Sequence, residues 1–150
     1  MLVESWMSRR VCTVKPLDTI QHARDLMMTN RVNQLPVVSA GRVLGIITDR
    51  DLRDAFPSVF EAARQARTHD RSLPDPAVIP VESVMTQQVV TLGSKDSIVE
   101  AARLMRRERI GAVPVVDGGH LVGIIARSDL LDAFVRLAEA SDAEPKGSAR

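Results

Sequence analysis

The strongest constraint on this chain is an internal duplication. Residues 3–56 recur as residues 81–134 at a constant offset of 78 positions without a gap, and 24 of the 54 aligned pairs are identical by direct count. The identical pairs are spread along the whole unit, so the two copies must follow the same backbone path. A unit this short buries too little apolar surface to be stable alone. We therefore expect each copy to stack against its twin, and we expect function in the cleft between them.

Composition argues against several classes of partner. With 20 Lys plus Arg against 19 Asp plus Glu, the net charge of the 150 residues is only +1, so no global field attracts nucleic acid or an anionic membrane. Aromatic residues make up 3% of the chain, too few for a base-stacking platform. No apolar stretch approaches the length of a membrane span. The single cysteine, Cys12, has no disulfide partner and no metal-ligand spacing near it. These observations predict a soluble, cytoplasmic protein without nucleic-acid or membrane partners.

Each copy is predicted to contain a strand, a helix, two strands and a second helix, which makes the chain an α+β protein. The first strands are the extended stretches at 11–14 and 89–92. The first helices follow, with Asp18 and Asp96 where an N-cap residue is expected. Two β-branched runs separated by a glycine-containing turn predict an antiparallel hairpin in each copy: 35–38 with 43–47, and 113–116 with 121–125.

The second helices are predicted to begin near residues 49 and 127 and to continue through 56 and 134. The chain therefore divides into repeat 1 at 1–56, a linker at 57–80, repeat 2 at 81–134, and a helix end with a tail at 135–150. The linker has a polar helical piece around 60–66 followed by prolines. The tail from Ser141 onward is small and polar, which predicts disorder.

The segment GIITDRDL at 45–52, echoed as GIIARSDL at 123–130, is the most informative for function. A strand ends there and a helix begins within two residues, so unpaired backbone N–H groups and the helix dipole favour an anion such as a phosphate. The Asp51 carboxylate in that first turn can accept hydrogen bonds from the two adjacent hydroxyls of a ribose, each worth about 1.5–3 kcal/mol. The junction is therefore a candidate site for ribose and phosphate together.

A purely structural interpretation competes with this one, because Thr48 and Asp51 also fit a capping box that stabilises a helix start and binds nothing. In the second copy Ala126 replaces Thr48 while Asp129 remains. This difference favours a role for the aspartate carboxylate other than the capping box, because the carboxylate is present in both copies and the capping hydroxyl only in the first.

The two runs RVNQLPVVSAGRVLGIITDRDL and RIGAVPVVDGGHLVGIIARSDL, each preceded by an amphipathic helix, resemble a tandem pair of CBS domains, the family named after cystathionine β-synthase. Such a pair is also called a Bateman module. The resemblance covers nearly the whole chain and implies two CBS repeats packed by their sheets about a pseudo-twofold axis, commonly as a homodimer. The segment LRDAFPS at 52–58 is also similar, more weakly, to CBS proteins of the acetoin-utilization type.

By this resemblance the chain binds an adenosine-containing ligand such as AMP, ADP, ATP or S-adenosylmethionine in clefts between the repeats, and regulates another protein. The resemblance places the ribose at Asp51 and Asp129. In the first site the implied nucleotide-binding residues are Thr13, Val14, Asn33, Gln34, Leu35, Pro36, Thr48, Arg50 and Asp51. In the second site they are Thr91, Leu92, Gly111, Ala112, Val113, Pro114, Arg127, Ser128 and Asp129. For any single valine or leucine of these sets, an ordinary core position is the competing interpretation.

The chain departs from the family pattern at Ala126, where the second site lacks the hydroxyl that Thr48 supplies to the first. Arg127 and Ser128 are the residues that can partly substitute. Neither Asn33 and Gln34 nor Gly111 and Ala112 supply the basic residues that some relatives place on phosphates, so a preference for a triphosphate is not indicated. No cofactor is obligatory, and Mg²⁺ is expected only together with ATP.

Two functional classes stay open and a third is not expected. The first is the nucleotide-sensing regulator, a homodimer acting on a separate protein that the sequence does not identify. The alternative is a nucleotide-independent structural dimerisation or protein-interaction module, in which Trp6 is either an interface anchor or a cover on the core edge. An enzyme is not expected, because the chain has no GxGxxG motif, phosphate-binding loop, GxSxG elbow or metal-ligand pair.

Overall fold

The computed structural model describes residues 1–56 and 75–143, and its mixed helix and strand content confirms the predicted α+β class. Two short 3-10 helices lie at Val3–Ser5 and Val81–Ser83. The other elements are α1 (Ile20–Asn30), β1 (Gln34–Ser39), β2 (Arg42–Thr48), α2 (Asp49–Ala55), α3 (Ile98–Glu108), β3 (Ala112–Asp117), β4 (His120–Ala126) and α4 (Arg127–Ala143).

Both predicted hairpins are confirmed. Strand β1 pairs antiparallel with β2, and β3 pairs with β4, in two separate two-stranded sheets. Each loop has two residues with positive φ, Ala40 at 50° and Gly41 at 77°, then Gly118 at 56° and Gly119 at 82°. Two consecutive residues in this region give the type I′ turn, whose twist matches that of the strands it joins. The glycines of the sequence therefore mark the hairpin turns correctly.

The predicted first strand of each repeat is reduced to a single bridge. Val14 forms an isolated parallel bridge with Val37, and Leu92 forms the equivalent bridge with Val115. Each bridge has two backbone hydrogen bonds, such as that from the Val14 N–H to the Pro36 carbonyl at 3.1 Å. Pro36 and Pro114 carry no N–H, so the ladder does not extend past them in a regular pattern. The prediction of full strands at 11–14 and 89–92 was wrong.

The first helices begin one residue later than predicted. Thr19 and Ser97 are the N-caps, and their side-chain oxygens accept the backbone N–H groups of His22 and Glu100. The assignment of the caps to Asp18 and Asp96 was wrong. Their carboxylates instead accept the N–H groups three residues earlier in the chain, at 2.8 Å for Asp18 and 2.7 Å for Asp96, and so close the turns that precede the helices.

Two predictions about the chain between and after the repeats have different outcomes. The helical piece around 60–66 lies outside the described residues. Helix α4 continues to Ala143, so the predicted disorder is wrong for residues 141–143, while residues 144–150 lie outside the described part. Within that part, no helix is both long enough and apolar enough to span a membrane.

The chain forms two compact units that do not coincide with the sequence repeats. The first-repeat unit consists of Cys12–Val89 with Gly119–Leu121, and the second-repeat unit consists of Met1–Val11, Val90–Gly118 and Val122–Arg150. Each unit thus includes the opening segment of the other repeat. In the second-repeat unit the Val3 N–H donates to the Asp96 carbonyl at 2.8 Å, and in the first-repeat unit the Val81 N–H donates to the Asp18 carbonyl at 2.7 Å.

Each unit has its own core. In the first-repeat unit the fully buried side chains include Ile20, Leu35 and Ile47, and in the second-repeat unit they include Val113 and Ile125. Trp6 is half-buried against the core of the second-repeat unit, with the Arg136 guanidinium 5.6 Å from its ring centroid. This position favours the interpretation of Trp6 as a cover on the core edge.

Candidate functional site

The first candidate site forms where β2 ends and α2 begins. Thr48 is the N-cap of α2, and a complete capping box joins it to Asp51. The Asp51 Oδ2 atom accepts the Thr48 backbone N–H at 2.9 Å and the Thr48 hydroxyl at 2.9 Å, and the Asp51 N–H donates back to that hydroxyl at 3.2 Å. All of this capping uses one carboxylate oxygen. Within the described part of the chain the other oxygen, Oδ1, accepts no hydrogen bond, so capping leaves an acceptor available.

The second candidate site retains one of the three hydrogen bonds that form the cap in the first. Asp129 Oδ2 accepts the Ala126 backbone N–H at 2.6 Å, which is the counterpart of the bond between Asp51 and the Thr48 N–H. Ala126 has no hydroxyl, so the remaining bonds of the capping box are missing. The retained aspartate therefore has a structural role at this position, and its presence beside Ala126 does not by itself require a ligand.

Main-chain hydrogen bonds bring the predicted residues of the first site together. The Asp49 N–H donates to the Asn33 carbonyl at 2.8 Å, which ties the residues before β1 to the start of α2. The Val38 N–H donates to the Val14 carbonyl at 2.8 Å, which holds the segment at 13–14 beside β1. All nine predicted residues of this site lie in the first-repeat unit.

The second site is assembled by matching bonds. The Arg127 N–H donates to the Gly111 carbonyl at 3.0 Å, and the Val116 N–H donates to the Leu92 carbonyl at 2.8 Å. All nine predicted residues of this site lie in the second-repeat unit. The duplication thus produces two equivalent candidate sites, one in each unit.

Burial separates the predicted residues into two groups. Some side chains are part of the cores, which leaves only their main-chain groups for a ligand: Val14, Leu35, Pro36, Leu92, Ala112, Val113 and Pro114. The others are exposed or half-buried: Thr13, Asn33, Gln34, Thr48, Arg50, Asp51, Thr91, Gly111, Arg127, Ser128 and Asp129. The competing interpretation of the valines and leucines as core agrees with their burial, while their role at a ligand stays a prediction.

The polar side chains held at the two junctions differ in kind. Thr48 in the first site has its hydroxyl proton committed to Asp51, so that oxygen is available mainly as an acceptor. In the second site the Arg127 Nε donates to the Ile110 carbonyl at 3.2 Å, which holds this guanidinium near the junction. Within the described residues no group of three or more His, Cys, Asp or Glu side chains is arranged to hold a metal ion.

Two cavities are lined mainly by residues outside the predicted sites, and the sequence analysis did not identify them. One of about 500 Å³ in the first-repeat unit is lined by Lys15, Pro16, Leu17, Val38, Ser39, Ala40 and Glu82. The other, of about 460 Å³ in the second-repeat unit, is lined by Ala102, Met105, Arg106, Arg109, Arg127, Leu130 and Leu131. Only Arg127 belongs to the predicted site residues. The exposed apolar residues on the helices of repeat 2 were the available sequence signal for the second cavity.

Comparison with known proteins agrees with the repeat structure. A family model for the CBS domain matches residues 3–58 and 81–136. A CBS domain-containing protein of Dictyostelium discoideum is 38% identical over 141 residues, which are 93% of this chain and 94% of that protein. A solved structure from Vibrio cholerae, named as a candidate acetoin utilization protein (AcuB), is 30% identical with a TM-score of 0.76, covering 97% of this chain and 98% of that one.

A further solved structure carries ligands. The CBS domain pair of protein MJ0100, in complex with 5′-methylthioadenosine and S-adenosyl-L-methionine, is 25% identical to this chain with a TM-score of 0.70. The match covers 91% of this chain and 98% of that one. Both the general resemblance to tandem CBS domains and the weaker resemblance to the acetoin-utilization type are confirmed.

Proposed function

Because the chain belongs to the CBS domain family as a tandem pair, we propose that it is a regulatory module that binds an adenosine-containing ligand at its two strand-to-helix junctions. One observation carries the proposal. The Asp51 carboxylate caps α2 with Oδ2 alone, which leaves Oδ1 available to a ribose hydroxyl at a helix start that also favours an anion. The MJ0100 pair, solved with two adenosine-containing ligands, supports this ligand class.

In the first site the ribose hydroxyls donate to Asp51, and a phosphate, where the ligand has one, lies toward the first turn of α2. The base lies beside the segments at 13–14 and 33–36. The side chains of Leu35 and Pro36 are buried, so main-chain groups, the exposed Asn33 and the half-buried Gln34 read the base edge. Charge-assisted bonds to the carboxylate contribute about 1.5–3 kcal/mol each before ordering costs.

The second site binds the same ligand class less tightly or with different selectivity. Asp129 keeps its cap to the Ala126 N–H, but no hydroxyl lies at position 126 to add a contact. Arg127 and Ser128 are exposed at this junction and supply a cationic and a hydroxyl group in its place. No cofactor is obligatory, and Mg²⁺ accompanies only a triphosphate.

The module acts without catalysing a reaction itself. It transmits ligand binding through the geometry of a homodimer to a separate regulated protein in the cytoplasm, where adenine nucleotides are abundant. The similarity to the Dictyostelium protein supports a regulatory role without catalysis, because the match covers 94% of that CBS domain-containing chain.

The test is ligand-induced stabilisation of the purified chain. Thermal and urea unfolding are measured with adenosine, AMP, ADP, ATP, S-adenosylmethionine and 5′-methylthioadenosine. A ligand at one hundred times its dissociation constant raises the free energy of unfolding by about 2.7 kcal/mol. Asp51→Ala is expected to abolish most of this increment at the first site. Unchanged unfolding with all six compounds contradicts the proposal.

A matched variant separates binding from capping. Thr48→Ala reproduces the residue of the second repeat and removes the capping hydroxyl, while the bond from the backbone N–H to Asp51 can remain, as it does at Ala126. Loss of the cap is expected to lower the stability of the free protein by about 1 kcal/mol. The ligand-induced increment is expected to fall only in part in Thr48→Ala, which removes one hydroxyl contact, and to be mostly lost at the first site in Asp51→Ala. If both variants retain the same ligand-induced increment in the free energy of unfolding, the role assigned to the Asp51 carboxylate is contradicted.

A second candidate function is a nucleotide-independent interaction module. The observation that favours it is that Asp51 and Asp129 both have structural roles, while helix α4 exposes several large apolar side chains. Sedimentation with and without nucleotide distinguishes the two functions. For an interaction module the sedimentation coefficient should be the same with and without nucleotide. For a regulatory module it should change when nucleotide is added.

A further inference from the structure

The cavity of about 500 Å³ in the first-repeat unit lies at the end of β1 remote from the strand-to-helix junction. Strand β1 starts at Gln34, which pairs with Thr48, and ends at Ser39, which lines the cavity. At about 3.3 Å per residue, the two ends of this strand are about 17 Å apart. The volume is in the range of small-molecule sites. None of the lining residues belongs to the predicted nucleotide-binding set, so the cavity is a separate candidate site.

The second-repeat unit shows how the duplicated backbone pairs the polar groups at the equivalent position. There the Lys95 ammonium donates to the Glu4 carboxylate at 2.7 Å. The Asp117 Oδ1 atom accepts the backbone N–H of the buried Ser94 at 2.9 Å. The carboxylates, the ammonium and the backbone N–H at this position therefore all have partners within the chain.

The first repeat lacks the residues that make these bonds. It replaces Gly93, Ser94, Lys95 and Asp117 by Lys15, Pro16, Leu17 and Ser39, in this order. Proline has no N–H to donate, and leucine has no charge to offer an acid. The carboxylate is kept, because Glu82 is the equivalent of Glu4. Among the described residues neither Glu82 nor Lys15 takes part in an ion pair.

The backbone places Lys15 and Ser39 next to each other. A Cβ atom added at Gly93, the equivalent of Lys15, would lie 3.8 Å from the Asp117 Oδ1 atom. Asp117 is the equivalent of Ser39, so on the shared backbone path the Lys15 side chain starts beside Ser39. Both residues line the cavity. The ammonium and the hydroxyl can therefore contact the same group of a ligand.

The charged groups border an apolar wall. Leu17 is 77% exposed and Val38 is half-buried, and both line the cavity together with Pro16. The Glu82 backbone N–H donates to the Pro16 carbonyl at 3.0 Å, which holds the residue with the free carboxylate beside this wall. A ligand that matches this lining has one positive group, one negative group and a small apolar body.

We propose that the cavity binds a free α-amino acid with an aliphatic side chain. The ligand ammonium pairs with Glu82, as a lysine does with the equivalent carboxylate of the second-repeat unit. The ligand carboxylate accepts hydrogen bonds from the Lys15 ammonium and the Ser39 hydroxyl, and the aliphatic side chain lies on the apolar wall. A phosphate would meet the carboxylate and a simple amine would meet the ammonium, whereas a zwitterion matches both charges. This site goes beyond the proposed function and does not depend on it.

The first experiment titrates the full, isotope-labelled chain with L-leucine in the absence of nucleotide and follows the backbone amide signals by NMR. The signals of Ser39 and Ala40 are expected to shift, and their titration gives the dissociation constant. N-acetyl-leucine lacks the ammonium and leucinamide lacks the carboxylate. Each is expected to bind at least about 10-fold more weakly, because each loses one charge-assisted contact.

Two substitutions test the charges. Glu82→Gln and Lys15→Met keep the approximate size of each side chain and remove its charge, and each is expected to raise the dissociation constant for L-leucine by about 10-fold. Glu82→Gln is also expected to lose the preference for leucine over N-acetyl-leucine, and Lys15→Met the preference over leucinamide. Glu4→Gln is the matched control in the second-repeat unit and is expected to leave the dissociation constant unchanged. Circular dichroism establishes that all three variants are folded.

A third substitution gives the first repeat the cation of the second. Leu17→Lys places a lysine at the equivalent of Lys95, where it can pair with Glu82 and compete with the ligand ammonium. It is expected to weaken L-leucine binding several-fold, in line with an exposed ion pair. Leu17→Met keeps the apolar wall without adding a charge and is expected to bind L-leucine as the wild type does.

Several results overturn the proposal. These are the absence of amide shifts with L-leucine at its highest soluble concentration, shifts confined to the junction at Thr48 and Asp51, or equally tight binding of the uncharged N-acetyl-leucinamide. A dissociation constant that Glu82→Gln and Lys15→Met leave unchanged, or that Glu4→Gln raises equally, overturns it as well.

Discussion

Replacing Gly45 by alanine is expected to destabilise the first-repeat unit, because β2 passes against another backbone segment at this residue. A Cβ atom there would lie 2.5 Å from the Met85 Sδ atom and 2.9 Å from the Thr86 carbonyl oxygen. The Met85 side chain can rotate away. The Thr86 carbonyl cannot move independently, because Ile46 and Thr86 exchange two backbone hydrogen bonds of 2.9 Å each.

The size of the destabilisation follows from the hydrogen bonds that are weakened and from the methyl group that must be accommodated. Separating the two segments weakens both hydrogen bonds, each contributing about 1 kcal/mol. Forcing an extra methyl group into a packed position costs about 1–3 kcal/mol in addition, less where a side chain can move aside. The free energy of unfolding is therefore expected to fall by about 3 kcal/mol, which for a chain of this length lowers the melting temperature by about 6–12 °C.

The assay is urea unfolding at 25 °C followed by circular dichroism. Gly111→Ala is the control, because a Cβ at Gly111 meets nothing within 4 Å, and its effect is expected to stay within about 0.5 kcal/mol. Gly123→Ala repeats the test in the second-repeat unit, where the Cβ would lie 2.6 Å from Met7 Sδ and 2.9 Å from the Ser8 carbonyl. Equal stability of the Gly45 and Gly111 variants would refute the reasoning.

Two further predictions concern titration. Hydrogen bonds from Ser94 lower the pKa of the Asp117 carboxyl, so its stabilising contribution is complete above the ordinary carboxyl pKa and disappears as the pH falls through the lowered value. The difference in free energy of unfolding between wild type and Asp117→Asn, measured by urea unfolding at a series of acidic pH values, is therefore expected to narrow as the pH falls through the lowered pKa. A difference that stays constant over these pH values would contradict this. Burial raises the pKa of the Cys12 thiol, so a disulfide reagent is expected to modify the folded chain more slowly than the urea-unfolded chain at mildly alkaline pH, and equal rates would show the thiol to be unprotected.

Local features of the fold were predictable from the sequence because their determinants are local. The glycines at 41, 118 and 119 identify two-residue hairpin loops directly, since positive φ is needed there. The helix starts were predicted one residue early because Asp18 and Thr19, like Asp96 and Ser97, are consecutive residues that can both cap. Only the turn hydrogen bonds made by the two aspartates decide between them.

Non-local features were not predictable in the same way. The opening segments at 3–5 and 81–83 have the same sequence, so their pattern does not indicate which repeat each one joins. In the structure each belongs to the unit built around the other repeat. The first strands were overestimated for a related reason, because an extended apolar run becomes a strand only where a partner can pair with it. Here Pro36 and Pro114 limit that pairing.

At the candidate site the sequence presented capping and ligand binding as alternatives, and the carboxylate geometry removes the conflict. A capping box needs one acceptor oxygen, and Asp51 uses Oδ2 for it while Oδ1 accepts no bond within the described residues. A helix start and a sugar can therefore be held by the same side chain. The cap also holds the carboxylate in place, which would reduce the ordering cost of the proposed ligand.

The two repeats differ in side-chain chemistry where their shared backbone constrains them least. At the junctions the main-chain hydrogen bonds are equivalent in both copies, and the aspartate is kept even where its threonine partner is lost. On the outer helix faces no such bonds fix the side chains, and Arg24 and Arg53 have become Ala102 and Leu131. A duplicated chain can therefore retain two equivalent junctions while the outer helix faces of its repeats differ in chemistry.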